Sequence, residues 1–259
     1  DFSGEDKDLF MEIPYNKAVC YIHEHNLKKA VNSMFKGLVA IQNRYGVFSR
    51  ENATFTRKYL ISFYLDNNQV RLAENEFNNL IAIYKVIGSS SYESADMIRI
   101  SGDIYYARKD YSDAISFYTN AYDIISKQHN IDYDVFKNIV DRIAVYEFKE
   151  GRTDVALRIY DTSVQTLISN GKPAYEAAAI LLLNQGNLYI KLENPKAAVT
   201  SYEKAIDLIV KLPGTNYLKR NIKAYWLELK SLYNANGEYS KADDIDVKIA
   251  RHERFPFLY

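Results

Sequence analysis

Two segments of the chain repeat one pattern of small, large and polar positions. In residues 98–121 and 182–205, a glycine is followed three residues later by a tyrosine and twelve residues later by an alanine. A second tyrosine comes four residues after that alanine, and a second alanine three residues after that tyrosine. Each half shows the i, i+3, i+4, i+7 spacing of an amphipathic helix, so each segment is predicted to form a pair of helices.

The spacing of these residues has a mechanical meaning. Small side chains at Gly102 and Ala114 let the two helices approach closely, and Tyr105 and Tyr118 fill the space beside that contact. Pro195 suits the first position of the second helix, because its missing N–H would have no partner there. The residues that carry the pattern are Gly102, Tyr105, Ala114, Tyr118 and Ala121 in one segment and Gly186, Tyr189, Ala198, Tyr202 and Ala205 in the other.

The second-helix alanine recurs about every 42 residues along nearly the whole chain. Its positions are Ala30, Ala73, Ala114, Ala156, Ala198 and Ala242. Large residues support the repeat at Tyr21, Tyr64, Phe77, Tyr160 and Tyr233. Gly151 and Gly237 fall where the turns of the fourth and sixth pairs are expected. The recurrence therefore predicts about six helix pairs over residues 14–252.

This pattern resembles the tetratricopeptide repeat (TPR) family. The resemblance implies an all-α fold, a right-handed α-α superhelix or solenoid of about six TPR-like helical hairpins. The period exceeds the usual 34 residues, and the extra residues fall between units, in 88–92, 128–132 and 171–173. Gly37 and Asp246 depart from the pattern in the first and last units, as expected for terminal repeats that cap a solenoid.

The resemblance also implies a binding surface, because in this family the first helices line a concave groove that accepts a peptide or a partner helix. Asparagine suits this task since its amide both donates and accepts hydrogen bonds; solvated helix-face residues are the alternative interpretation for each position. The groove positions carried over are Lys58, Ser62, Leu65, Arg99, Asp103, Tyr106, Asn138, Asp141, Val145, Leu183, Asn187, Lys191, Leu227, Ser231 and Asn234.

One specialisation of the family is not expected here. Its chaperone-binding members hold a C-terminal carboxylate with lysine and asparagine at fixed groove positions. Lys58 and Arg99 occupy the first of those positions, but Ser62 and Asp103 replace the asparagine, and Asp103 would repel a carboxylate.

Composition and charge narrow the choice of partner to protein or peptide. The 33 basic and 33 acidic residues cancel, whereas a nucleic-acid-binding protein usually has a basic excess. No apolar run is long enough to cross a bilayer, so membrane insertion is not expected. The chain begins at Asp1 rather than Met, so a signal peptide, anchor or domain could precede it. Cytoplasmic and exported locations both stay open.

No catalytic or cofactor motif is present. The sequence contains no nucleophile elbow, P-loop, dinucleotide fingerprint or HExxH. Cys20 and His23 share a helix face, but His25 points elsewhere and no fourth ligand follows at zinc spacing. We therefore expect no enzyme activity, metal or cofactor, and we expect Cys20 to be a buried thiol beside a helix end.

The two ends of the chain are predicted to lie outside the repeats. Residues 1–13 begin with an acidic, turn-rich stretch typical of a flexible tail. Residues 253–259 are aromatic around Pro256, which disfavours a continued helix, and form either a cap on the last helix or a docking segment.

Three functions are compatible with these observations. The first is a scaffold or adaptor that binds a peptide or partner helix in its groove. The second is the peptide-sensing domain of a regulator, in which the bound peptide alters an attached effector. The third is an accessory or exported subunit whose repeats space other components.

Overall fold

The computed structural model describes residues 4–128 and 131–254. The chain divides into two compact units at Lys127 and Gln128. The described residues form helices, turns and loops, with no β-strand among them. The prediction of an all-α fold built from TPR-like helical hairpins is confirmed.

Unit 1 contains three helical hairpins. The first pairs α1 with α2, the second pairs the broken helix α3–α4 with α5, and the third pairs α6 with α7. The helices are α1 (Gly4–His23), α2 (Leu27–Tyr45), α3 (Arg50–Phe55), a π-helical turn (Thr56–Leu60), α4 (Ile61–Asp66), α5 (Val70–Ile87), α6 (Ser91–Ala107) and α7 (Tyr111–Ile125).

Unit 2 also contains three hairpins, which pair α8 with α9, α10 with α11, and α13 with α14. The first helix of its second hairpin, α10, packs against both helices of the hairpin before it. The elements are α8 (Tyr133–Lys149), α9 (Thr153–Ser169), a 3₁₀ turn (Lys172–Ala174), α10 (Tyr175–Lys191), α11 (Pro195–Val210), α12 (Tyr217–Arg220), α13 (Ile222–Ala235) and α14 (Tyr239–Arg254).

The six recurring alanines occupy equivalent places in the six hairpins. Each is the fourth residue of its second helix and is at most 2% exposed. Each backbone N–H donates to the carbonyl of the residue just before that helix, as Ala114 does to Asp110 at 3.0 Å. The sequence repeat is thus a repeat of one local structure.

The turn before each alanine is equivalent as well. The residue five positions before the alanine has a left-handed backbone, with φ between 54° and 77° in all six turns. The next N–H donates back to the first helix, as Asp110 N does to the carbonyl of Tyr105 at 2.9 Å. This closes the helix with a Schellman-type bond. The six residues are His25, Asn68, Lys109, Gly151, Glu193 and Gly237.

Glycine in the first helix permits the close approach that the sequence predicts. A Cβ atom on Gly102 would lie 2.5 Å from Cε1 of Tyr118, and one on Gly186 would lie 2.6 Å from Cδ2 of Tyr202. Both distances are shorter than carbon–carbon contacts allow. In each of these hairpins, the aromatic ring of the second helix therefore occupies the space that a side chain would fill.

The structure corrects two expectations at the N-terminal end. Helix α1 begins at Gly4, so residues 4–13 are helical and not part of a flexible tail. Cys20 is exposed rather than buried, because it lies on the face of α1 opposite Met11 and Ala18, which are buried.

The last unit shows why its pattern departs from the others. Asp246 stands where the other second helices carry a large residue, and its carboxylate forms an ion pair with Lys230 of α13 at 2.6 Å. Helix α14 continues to Arg254. The rest of the predicted aromatic tail, residues 255–259, lies outside the described residues.

Candidate functional site

Unit 1 holds a buried network of charged side chains between the π-helical turn and α6. Asp96 accepts hydrogen bonds from Nη1 of Arg57 and, at 2.6 Å, from Nε of Arg99. Oδ2 of Asp103 accepts from Nη1 of Arg99, and Oδ1 accepts from the hydroxyl of Tyr118 at 2.8 Å. The two arginines and two aspartates are each less than 9% exposed. Burial is possible because each charge has an opposite partner.

A third carboxylate, that of Glu93, continues this network toward the surface. Glu93 accepts a hydrogen bond from the backbone N–H of Ser90 at 2.7 Å and one from the hydroxyl of Tyr84 at 3.1 Å. It also forms an ion pair with Arg50 at 3.2 Å. Burial opposes its ionisation, but these donors outweigh it, so the pKa of Glu93 lies below its ordinary value. Glu93 therefore caps α6 as an anion.

The ion pairs between Asp96 and the two arginines also favour the charged forms of these side chains. Burial disfavours the charged form of Asp96, but the guanidinium groups of Arg99 and Arg57 more than compensate and hold the pKa of Asp96 below its ordinary value. Burial likewise opposes the charge on Arg99, and the adjacent carboxylates raise its pKa in spite of it. Asp96, Arg57 and Arg99 therefore stay charged at neutral pH.

This network changes the interpretation of two residues predicted to line the groove. Arg99 and Asp103 are buried and bind each other, so their charges are used inside unit 1. Asp96 is three residues before Arg99 and Asp103 four after it, which is the spacing of ion pairs along a helix. That spacing was a signal in the sequence for internal pairing.

Unit 2 has an open cleft of about 280 Å³ between α8 and α10, with one side chain from α9. Four residues of the predicted groove set meet there: Asp141, Val145, Asn187 and Lys191. The cleft combines apolar walls with polar groups of both charges. Its lining residues are Asp141, Ala144, Val145, Phe148, Lys149, Tyr160, Asn184, Asn187, Leu188 and Lys191.

Hydrogen bonds fix the polar groups of this cleft. Oδ1 of the half-buried Asp141 accepts from the hydroxyl of Tyr160 at 2.7 Å and from Nδ2 of Asn184 at 2.8 Å. Oδ1 of the exposed Asn187 accepts from the hydroxyl of Tyr202 at 2.7 Å. With its oxygen held in this way, the amide nitrogen of Asn187 remains available as a donor.

The two tyrosines stay protonated over a wide pH range. Burial, and next the charge of Asp141, raise the pKa of Tyr160 well above its usual value. Burial is also the main cause that raises the pKa of Tyr202 to about 12. Both hydroxyls therefore act as hydrogen-bond donors at neutral pH.

The structure does not bring the remaining predicted residues into this cleft. Lys58, Asn138 and Asn234 are exposed at other positions, and Ser62 is half-buried. The ring of Tyr106 packs edge-on against Tyr111, with 5.1 Å between ring centroids. Leu65, Leu227 and Ser231 are not among the residues that line the cleft, and Leu183 of α10 is buried at 7% exposure.

The described part of the chain contains neither a membrane-spanning helix nor a cluster of metal ligands. Within residues 4–128 and 131–254, no helix is both long and apolar enough to cross a membrane. The same residues contain no group of three or more histidine, cysteine, aspartate or glutamate side chains that could hold a metal ion.

Several solved structures share the fold of this chain at low sequence identity. BtubC (BKLC) from P. vanneervenii superposes with a TM-score of 0.58 and 16% identity, over 100% of this chain and 94% of that one. Aspartyl phosphate phosphatase F from Bacillus subtilis gives 0.56 and 14%, over 95% and 70%. A signal transduction ATPase with numerous domains (STAND) from Pyrococcus horikoshii, with a tetratricopeptide repeat sensor, gives 0.51 and 14%, over 97% and 44%.

Sequence comparison gives the family. No curated protein matches the chain. The profile of the soluble NSF attachment protein family matches residues 64–254, which is almost three quarters of the sequence and includes the whole cleft of unit 2. With its TPR-like hairpins, the chain belongs to the soluble NSF attachment protein (SNAP) family.

Proposed function

We propose that this protein is a non-enzymatic interaction module that binds a segment of a partner polypeptide in the cleft between α8 and α10. The observation that carries the proposal is the composition of the cleft. It joins the apolar side chains of Val145 and Phe148 to the amide of Asn187 and the ammonium group of Lys191. Apolar contact with a few oriented polar groups is the usual chemistry of a peptide-binding groove.

The individual groups suit a polypeptide ligand. The amide nitrogen of Asn187, oriented by Tyr202, can donate to a partner's backbone carbonyl. The cleft volume of about 280 Å³ lies just below the range of roughly 300–1,000 Å³ for sites that enclose a small molecule. It therefore fits one or two side chains of a longer ligand that extends beyond the cleft.

The comparisons agree with an interaction role. The family to which the chain belongs is named for attachment to another protein. The Pyrococcus STAND protein, whose TPR region is called a sensor, shares the fold.

The proposal can be tested by selecting binders from a random peptide library displayed on phage. The selected peptides would then be measured against an Asn187→Ala/Lys191→Ala variant. A Lys58→Ala/Asn234→Ala variant is the matched control, because it removes one lysine and one asparagine that are exposed outside the cleft. We expect the cleft variant to weaken binding by about tenfold or more, or about 1.4 kcal/mol, and the control to bind normally.

Two results would contradict the proposal. A library that yields no binder would argue against a peptide-binding surface. Binders that are retained equally by both variants would show that the cleft between α8 and α10 is not the contact site.

A further inference from the structure

The chain contains two carboxylates held by the same kind of tyrosine. Tyr118 and Tyr160 each lie four residues after the recurring alanine of their hairpin, on the second helix. Their hydroxyls donate to Oδ1 of Asp103 at 2.8 Å and to Oδ1 of Asp141 at 2.7 Å, on the respective first helices. Equivalent tyrosines therefore hold an aspartate in both units, although Asp103 lies 15 residues before its tyrosine and Asp141 lies 19 residues before its own.

The two aspartates differ in what binds the second oxygen. Oδ2 of Asp103 binds the guanidinium group of Arg99, one turn earlier on the same helix. The residue one turn before Asp141 is Lys137, whose ammonium group pairs instead with Asp134 at 3.1 Å. Among the described residues, both donors to Asp141 bind Oδ1, and neither is a cation. Oδ2 of Asp141 therefore has no hydrogen-bond donor or cation bound to it among the described residues.

We propose that Asp141 binds the side chain of an arginine from the partner polypeptide, in an ion pair of the kind that Asp103 forms with Arg99. This inference rests on the proposed function and specifies the ligand of the same cleft. The walls formed by Ala144, Val145 and Leu188 can cover the aliphatic part of the arginine. A planar guanidinium group matches the geometry of a carboxylate better than an ammonium group does.

Lys191 lines the cleft at some distance from Asp141, and its positive charge determines the orientation of the ligand. Lys191 is seven residues beyond Asn184 on α10, so it lies about 10 Å along the helix from the level of Asp141. A second positive charge on the partner would be repelled there, whereas an acidic group would be attracted. An extended chain covers this distance in about three residues. The segment should therefore carry an acidic residue about three positions from the arginine.

The arginine requirement can be tested with a small probe by nuclear magnetic resonance. N-acetyl-arginine N-methylamide is titrated into the whole protein while the side-chain amide signals of Asn184 and Asn187 are followed. The matched neutral probe is the citrulline analogue, which has nearly the same shape but no charge. We expect saturable shifts in the millimolar range with arginine, and affinity lower by about tenfold or more with citrulline.

Two variants separate the site from a general effect of charge. Asp141→Asn removes the charge but keeps an oxygen that can accept from Tyr160 and Asn184, so the fold should be retained. Asp134→Asn removes one charge from an exposed position of the same helix. We expect the arginine shifts to be lost in Asp141→Asn and unchanged in Asp134→Asn.

The outcomes also separate this inference from the proposed function. Equal shifts with both probes, equal shifts in both variants, or no shift at millimolar arginine would overturn the role of Asp141. Selected peptides that depend on Asn187 but show no enrichment of arginine would overturn it as well. In that last case the cleft would still be a peptide-binding site.

Discussion

Both units contain an aspartate that accepts a hydrogen bond from a second-helix tyrosine, but the two aspartates differ in burial and in their charged partners. In unit 1, Asp103 is held by Tyr118 and paired with Arg99, and the pair is buried. In unit 2, Asp141 is held by Tyr160, the residue one turn before it is Lys137 instead of an arginine, and Asp141 lines an open cleft. A charge can be buried only when its partner is present. A tyrosine at one repeat position thus holds an aspartate in both units, and that aspartate is buried where its cation is internal and lies in an open cleft where it has no such cation.

The third and fifth hairpins make the same point at a single position. Both carry a glycine against a second-helix tyrosine. The residue after the glycine accepts a hydrogen bond from that tyrosine, and it is Asp103 in the third hairpin and Asn187 in the fifth. The aspartate is buried with its cation, whereas the asparagine is exposed. A change from carboxylate to amide thus accompanies the change from an internal role to an exposed one.

The strongest test of this comparison is to remove one charge from each unit. Asp96→Asn leaves the buried Arg57 and Arg99 without their shared counter-ion, and we expect a loss of about 3 kcal/mol or more in the free energy of unfolding. Asp141→Asn keeps its neutral hydrogen bonds and should cost less than about 1 kcal/mol. Urea unfolding with hydrogen exchange in α6 and α10 would measure both effects.

The loss of stability must be larger for Asp96→Asn than for Asp141→Asn. Equal losses in the two variants would mean that Asp141 also has a structural role, and the distinction between a closed and an open carboxylate would fail. A negligible loss in Asp96→Asn would show that the network in unit 1 contributes little to stability.

The next largest change in the free energy of unfolding should appear at low pH. The pKa values of Asp96 and Glu93 are lower in the folded protein than in the unfolded chain, where they are about 3.9 and 4.3. Their stabilisation is therefore complete above those unfolded values and is lost as the pH falls through the folded values. Each carboxyl can contribute a slope of up to about 1.4 kcal/mol per pH unit in that range.

Unit 1 should accordingly open before unit 2 below about pH 4. Among the described carboxyl groups of unit 2, Glu253 has a lowered pKa because of its ion pair with Lys223. This pair lies at the surface, where salt weakens it. Hydrogen exchange at pH 3 and pH 6, corrected for intrinsic rates, would compare α6 with α10. Earlier opening of α10 would contradict the assignment of acid sensitivity to the buried network.

The fold was largely predictable because it depends on spacing along the chain. Each hairpin needs a small residue at the fourth position of its second helix, and the alanines from Ala30 to Ala242 meet that need in all six. The π-helical turn at Thr56–Leu60 was not predictable, since no proline or glycine marks it. The exposure of Cys20 was missed because it depends on which face of α1 packs against α2.

The residues of the candidate site were predictable only in part. Projection of the family's groove positions located Asp141, Asn187 and Lys191, which do meet in one cleft. It also selected Arg99 and Asp103, because the projection gives the position of a residue and not its partner. Asp96 decides their burial and lies outside the projected set. Whether a charge serves binding or folding depends on contacts between helices, which a single sequence does not give.

A smaller loss of stability should follow when a side chain is added at the two first-helix glycines. Gly102→Ala and Gly186→Ala each place a Cβ atom within 2.7 Å of two ring carbons of the facing tyrosine. We expect a loss of about 1–3 kcal/mol in stability for each. Gly214→Ala is the matched control, since no atom lies within 4 Å of its added Cβ. Urea denaturation would measure the three variants. If Gly214→Ala were as harmful as the other two, the loss would not come from close packing.

The smallest effect tests whether the six turns are equivalent in energy as well as in geometry. Lys109 in unit 1 and Glu193 in unit 2 have left-handed backbones, which cost an ordinary residue about 1–2 kcal/mol. Glycine avoids that cost but loses about 0.5–1 kcal/mol through its greater freedom in the unfolded chain. Lys109→Gly and Glu193→Gly should each therefore stabilise the protein by about 0.5 kcal/mol, or raise its Tm by about 1–2 °C.

The converse changes, Gly151→Ala and Gly237→Ala, should lower the Tm by a similar or slightly larger amount, because both glycines have φ above 70°. Differential scanning calorimetry can resolve shifts of this size. A gain for Lys109→Gly together with a loss for Glu193→Gly would mean that Glu193 contributes something besides its place in the turn. A higher Tm for both variants would show that the turns of the two units have the same energetic cost. The two units would then differ in the partners of their charged side chains and not in their turns.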